Sequence, residues 1–389
     1  MTEPAASPSA PGPAPDPASA SEPASGPASA PRPSADWAAL AADIRTWARA
    51  LGFTAVGIAG VELGPAAARL ADWLAAGHHG DMDYMARHGA LRAHPAELLP
   101  GTLRVISARI DYWPGPAAAD AVLADGTRAY VARYALGRDY HKVVRRKLAR
   151  LAGRIEAAVG PFAHRAFSDS APIMEKPLAA LAGLGWVGKH SNLLARDGSW
   201  FLLGELCVAL PLPVDAPVAA HCGRCTACIE VCPTRAIVAP YVVDARRCLS
   251  YLSIEHHGPI PTEFRRAFGN RIMGCDDCQL FCPWNRHAQP AIEPDFRPRH
   301  GLDGAGVVEL FGWDEAIWLA RSEGMALRRL GYGRWLRNLA VALGNAPASG
   351  AVVAALEARA GRCGEVVDEH IAWALAEQAE KAEAKPATG

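Results

Sequence analysis

Eight cysteines between residues 222 and 282 constrain this chain more than any other feature: Cys222-x2-Cys225-x2-Cys228-x3-Cys232-Pro233, a lone Cys248, then Cys275-x2-Cys278-x3-Cys282-Pro283. Three cysteines at x2 spacing wrap one iron–sulfur cube, and the fourth, ahead of a proline, reaches a different one. Two cubes need eight thiolates, the number present. The crossed arrangement assigns Cys222, Cys225, Cys228 and Cys282 to one 4Fe–4S cluster, and Cys232, Cys248, Cys275 and Cys278 to the other. Structural zinc usually takes two separated ligand pairs and does not explain the third cysteine at x2 spacing or the following proline. Cys207 and Cys363 lie outside the pattern and read as small buried thiols.

The surroundings agree with a reduced compartment. The start, MTEPAASPSAPG, has neither a basic nor an apolar leader region. No apolar run reaches the roughly eighteen residues of a membrane span, so the chain is expected to be cytoplasmic and off the membrane. Forty basic and 40 acidic side chains cancel, which excludes whole-molecule attraction to a polyanion and leaves only local basic patches. With 389 residues, two or three domains are expected.

Residues 1–34 hold ten Pro, nine Ala and seven Ser and read as a disordered tail. From Asp36 the pattern turns amphipathic, with Trp37, Leu40, Ile44, Trp47 and Ala48 on one helix face, a stop at Gly52, and a strand over 53–58. A second strand is expected over 104–110. Helical spacing of Tyr140, Val144, Leu148, Leu151 and Ile155 predicts a helix over 139–157, whose other face carries His141, Lys142, Arg145, Arg146, Lys147, Arg150 and Arg154. That face is a solvated surface or a polyanion site. Pro211 to Pro217 reads as a domain junction. Beyond Trp313, helices over 334–343, 351–358 and 366–376 are of the kind that stack as repeats.

Clusters relay single electrons, so another group must carry the bond chemistry. Gly183-x-Gly185-x-x-Gly188 matches the dinucleotide fingerprint in letters only. A helix-like Pro177–Ala182 precedes it where a strand is required, so the glycines are expected to mark a helix stop and a close backbone approach. Within Ser168-Asp169-Ser170-Ala171-Pro172, Asp169 is either a helix cap or a partly buried acid whose raised pKa lets it give up a proton at neutral pH.

Several strings together resemble the epoxyqueuosine reductase family: Asp169-Ser-Ala-Pro-Ile-Met-Glu-Lys-Pro-Leu-Ala, Ala182-Gly-Leu-Gly-Trp-Val-Gly-Lys-His, the full cysteine set, Gly269-Asn-Arg-Ile-Met-Gly-Cys-Asp-Asp-Cys, and Arg337-Asn-Leu-Ala-Val-Ala-Leu-Gly-Asn. The resemblance spans roughly residues 36–380. It implies an α/β cobalamin-binding domain like that of reductive dehalogenases over 35–212, a ferredoxin-like two-cluster module over 213–300, and C-terminal HEAT-like α-helical repeats over 301–389. It further implies reduction of the epoxide of epoxyqueuosine at the tRNA wobble position to queuosine, by cob(I)alamin fed from the two clusters, with Asp169 as proton donor.

Carried over residue by residue, Arg92, Ala132, Asp169, Leu193, Leu203, Ser253, Cys275 and Asp276 fall at cobalamin contacts, and no protein histidine is expected on cobalt. Partners would be tRNA carrying epoxyqueuosine and an external low-potential electron donor, with the protein a monomer. The basic helix, with Arg265, Arg266, Arg271, Arg328, Arg329, Arg334 and Arg337, would then face tRNA. The alternatives are a cobalamin and iron–sulfur reductase of a small electrophile such as an organohalide, and a non-catalytic electron carrier or zinc adaptor.

Overall fold

A computed structural model describes residues 36–115 and 119–384. The tail expected over 1–34 lies outside the described residues. The first helix, α1 (Trp37–Ala50), begins where predicted because the Asp36 carboxylate accepts the N–H groups of Ala38 and Ala39, both at 3.0 Å. It buries Leu40, Ala41, Ile44 and Ala48. The next strand, β1 (Ala55–Ala59), starts later than its apolar run. Phe53 spends its N–H on the Ala48 carbonyl at the helix end and buries its ring in the core instead of joining the sheet.

Three further strands, β2 (Arg104–Asp111), β3 (His164–Phe167) and β4 (Phe201–Val208), complete one sheet in the order β1-β2-β4-β3, every neighbour antiparallel. Alternation sends Ile106, Ala108 and Ile110 to one face, under α1 and α2 (Tyr140–Val159), and Val105 and Cys207 to the other, under α3 (Glu175–Leu181). The layering is that expected of an α/β domain, but the strand directions are not those of a parallel α/β sheet. α3 lies so close that a Cβ on Gly57 would sit 1.9 Å from the Ala182 carbonyl oxygen.

The fingerprint glycines do what the helix-like context predicts. Gly183 ends α3 at φ +74°, and a Cβ on Gly185 would come within 2.1 Å of the Leu194 carbonyl oxygen in the hairpin of Trp186–Val187 and Leu193–Leu194. No phosphate-binding strand–turn–helix forms here.

At the C-terminal end, α4 (Tyr332–Asn345) is buried along nearly its whole length from Trp335 to Gly344. It packs against α5 (Gly350–Glu357), α6 (Glu365–Glu383) and Arg271–Met273, a short strand that pairs in parallel with Tyr130–Val131 of the first domain. Ala129, Val131, Ala135 and Leu136 share a core with these helices, so hydrophobic packing crosses the sequence boundary at 300. The Pro211–Pro217 segment is fastened rather than loose. Leu212 accepts a hydrogen bond from Arg104, and Asp215 takes one from Arg45 at 2.6 Å and another from the Ile58 N–H at 2.8 Å. Among the described residues, no helix is long and apolar enough to cross a membrane.

Candidate functional site

The turn between β3 and α3 carries Asp169 at φ +60°, a conformation that Asp tolerates better than most residues. Its carboxylate Oδ2 accepts a hydrogen bond from Tyr140 Oη at 2.6 Å and lies 3.0 Å from His141 Nε2. Both partners come from the first turn of α2. The capping residue there, Asp139, accepts the His141 N–H at 3.1 Å and holds His141 Nδ1 at 2.6 Å. Asp139 thereby fixes the ring that meets Asp169.

Two expectations are corrected here. His141 does not belong to the exposed basic face; it is buried, because the first turn of α2 points at the Asp169 turn rather than at water. Asp169 caps no helix, since α3 begins at Glu175, and its own N–H donates to Glu175 Oε1 at 2.8 Å.

Nor is its acidity weakened. Burial works to raise the Asp169 pKa, but the hydrogen bond and charge of His141, with Tyr140 and the charge of Arg329, pull it down to about 2. Against the cost of its own burial, the hydrogen bonds to Asp139 and Asp169 raise His141. The two shifts run in the directions that favour an imidazolium beside a carboxylate. Burial, and then the charge of Asp169, push Glu175 up to about 8. The Asp169 side chain is 59% accessible and lines a cavity that is open to solvent.

The cavity, about 370 Å³, is lined by Asp169, Glu175, Lys176, Tyr134 and Tyr140, by apolar Phe201, Leu202 and Ile237, and by Cys232, Cys248, Cys275 and Cys278. One predicted quartet of cysteines thus opens onto the space that Asp169 faces. The other, Cys222, Cys225, Cys228 and Cys282, lines a second cavity of about 90 Å³ with Lys189, His190, Leu194, Pro283 and Trp284. Among the described residues, no three His, Cys, Asp or Glu side chains converge closely enough to hold a single metal ion. Four thiols spread around a cavity suit a cube better than a zinc tetrahedron. Cys207 is fully buried in the core and Cys363 half-buried, both outside these cavities.

Of the predicted cobalamin contacts, Leu193, Leu203, Cys275 and Asp276 line the larger cavity beside Asp169. Arg92, Ala132 and Ser253 do not reach its wall. Arg92 is buried over the Tyr84 ring with its Nε unpartnered. Ala132 packs at the turn of Gly274, where a Cβ would come within 2.6 Å of it. Ser253 is fully buried, its hydroxyl donating to the Ser250 carbonyl at 3.1 Å and accepting the Gly274 N–H at 2.9 Å. The wall, apolar over Phe201, Leu202 and Leu203 and polar over Asp169, Glu175 and Lys176, fits a large ring with an apolar face and a polar rim.

The basic surface is smaller than the sequence predicts. Arg337 is buried and donates to the carbonyls of Leu252 (2.7 Å), His256 (2.7 Å) and Gly258 (2.8 Å). Arg265 pairs with Glu369, Arg266 with Glu377 and Glu380, and Arg271 with Asp277, while Arg334 donates to the Ile254 and Leu330 carbonyls. Arg265, Arg271 and Arg337 satisfy backbone and carboxylates inside the fold, whereas Arg266 is paired at the surface. Among the described residues, Lys142, Arg150, Arg154 and Arg329 are exposed and join no ion pair. Arg329 stands near enough to Asp169 and His141 for its charge to act on both.

Comparison with known proteins accords with this geometry. The family described as "4Fe-4S double cluster binding domain" matches residues 221–285, and "Epoxyqueuosine reductase QueG, DUF1730" matches residues 92–170. Epoxyqueuosine reductase of Pseudomonas aeruginosa is 59% identical over 342 residues, covering 87% of this chain and 95% of that protein. That of Escherichia coli is 55% identical over 343 residues, covering 88% and 90%. The chain also resembles the crystal structure of an epoxyqueuosine reductase with an epoxyqueuosine-modified tRNA-Tyr stem loop, at a TM-score of 0.80 and 25% identity over 89% of this chain and 93% of that one. The Streptococcus thermophilus enzyme shares the fold at a TM-score of 0.73 and 24% identity, over 90% and 92%.

Proposed function

The chain belongs to the epoxyqueuosine reductase family of oxidoreductases, and from that premise we propose that it reduces the epoxide of epoxyqueuosine at the tRNA wobble position to queuosine. The observation that carries the reading is one cavity shared by the Asp169 centre and four cysteines of a cluster motif. We read the sheet and its helices as the cobalamin-binding domain, the C-terminal helices as HEAT-like, and an external low-potential carrier as the electron source. Leu193, Leu203, Cys275 and Asp276 would hold cobalamin. When bound, it supplies a strongly nucleophilic low-valent cobalt, and the clusters supply single electrons.

The residues of the chain manage the protons. Turning an epoxide into an alkene and water consumes two electrons and two protons, both protons ending on the departing oxygen. Asp169 faces the cavity as a carboxylate with the imidazolium of His141 3.0 Å behind it. A proton passing from His141 Nε2 through Asp169 would reach an oxygen in the cavity, quenching the negative charge of ring opening by general acid catalysis. Asp139 holds the far nitrogen of His141 and keeps the ring aligned, and Tyr140 fixes the Asp169 carboxyl. Glu175, raised to about 8 by its burial, would supply the second proton.

The test is anaerobic turnover of reconstituted holoprotein on tRNA bearing epoxyqueuosine, followed by nucleoside mass spectrometry. Queuosine from wild type, with near-complete loss in Asp169→Ala, is expected. No queuosine from protein that retains both clusters and cobalamin overturns the assignment.

A further inference from the structure

The smaller cysteine cavity has an almost wholly apolar wall, in which side-chain nitrogen comes from Lys189, His190 and the indole of Trp284. Lys189 is already engaged: its Nζ donates to the carbonyls of Gly223 and Cys225, both at 2.8 Å. His190 is not. It is 4% exposed, its Nδ1 accepts the Asn192 N–H at 3.1 Å, and its Nε2 is buried without a partner. An acceptor at Nδ1 places the ring proton on Nε2. A buried donor without an acceptor costs free energy unless a ligand completes it.

The fold shapes this position. The turn is closed by Gly188 N–H to the Asn192 carbonyl at 2.8 Å, and the imidazole lies so close over Gly188 that a Cβ there would come within 3.0 Å of its Cε1. The last glycine of the dinucleotide-like string thus makes room for a histidine. His190 also lines the larger cavity, which places it in the wall between the two quartets of cysteines.

We propose that His190 is a positioning residue for the cluster held by Cys222, Cys225, Cys228 and Cys282: its Nε2–H donates a hydrogen bond to a sulfur of that cluster and raises the cluster's reduction potential. The inference rests on the cluster reading above. One electron enters the cluster and no bond is made or broken. The added negative charge makes the sulfur a better acceptor, so the hydrogen bond favours the reduced form.

The experiment is an anaerobic redox titration of the holoprotein followed by electron paramagnetic resonance, comparing wild type with His190→Leu and His190→Gln. His190→Leu should make reduction of one cluster about tenfold less favourable, 59 mV more negative for a one-electron couple, and leave the other unchanged. His190→Gln, which keeps an N–H, should recover most of the shift. Should His190→Leu lose iron, the wild type alone decides: electron–nuclear double resonance after exchange into D2O should show an exchangeable proton coupled to one reduced cluster. Iron and sulfide present, with unchanged potential in His190→Leu and no such coupling, overturn the role of His190. Absence of iron and sulfide from reconstituted wild type overturns the cluster reading, and this inference with it.

Discussion

At the scale of residues, the proposed function makes the site a small proton circuit rather than one acid. Asp169 and His141 lie 3.0 Å apart, and on that reading removing either leaves the other without its function. Asp169→Asn and His141→Ala should each lower kcat by about 10²–10⁴-fold, and the double variant should be scarcely worse than either single one. Additive losses in single-turnover rates would show that the two act separately. The pH dependence has a definite sign. Glu175 is raised, so its proton is present below about 8 and lost above it, where a second negative charge would face Asp169. Turnover should fall as pH rises through about 8, and Glu175→Gln, which has no proton to give, should be slow at every pH and lack that limb. Asp169 is legible from its string, but its chemistry is not. Helical spacing assigns Tyr140 to the core and His141 to the basic face, and only the turn of chain at Asp169, far away in sequence, makes the pair into its partners.

At the scale of elements, signals encoded within a few residues are legible. The helix start at Asp36, the amphipathic stripe of α1 and the helix stop at Gly183 are all of this kind. Strand order and direction are not, because β2 pairs with β4 across nearly a hundred residues and nothing in either strand names its neighbour. Charge misleads for the same reason. An arginine in sequence does not reveal whether a carbonyl or a carboxylate will meet it, and Arg265, Arg271 and Arg337 are all consumed inside. What remains for a polyanion on α2 is Lys142, Arg150 and Arg154. Replacing all three with Ala should weaken tRNA binding and flatten its salt dependence, by about 0.9 in the log–log slope for each duplex phosphate no longer neutralised, with cluster content unchanged. The same change in Arg266, already paired with Glu377 and Glu380, should leave the slope alone. Filter binding or fluorescence anisotropy across a salt series separates the two outcomes.

At the scale of the whole molecule, the parts are less separable than the composition implies. The Pro-rich segment before the cysteines has the look of a linker, yet Asp215 is fastened to Arg45 and β1, and Glu293 and Asp295 reach back to Lys147 and Arg146 of α2. The deepest tie is in α4. Arg337 and Asn338 hold the carbonyls of Leu252, Ser253 and Ile272, the backbone that carries Cys248 on one side and Cys275 on the other. α4 therefore holds the backbone beside two cysteines that line the larger cavity. Arg337→Met keeps most of the side-chain bulk but strands several buried carbonyls, at about 1–3 kcal/mol for each group left unpaired. Its effect should be uneven. The iron held by Cys232, Cys248, Cys275 and Cys278 should be lost on mild chelation before that held by Cys222, Cys225, Cys228 and Cys282, while the sheet and its helices keep their far-ultraviolet circular dichroism. Equal loss from both clusters would mean that α4 supports the fold generally; selective loss would mean that the C-terminal helices act as a brace for the cluster nearest the chemistry.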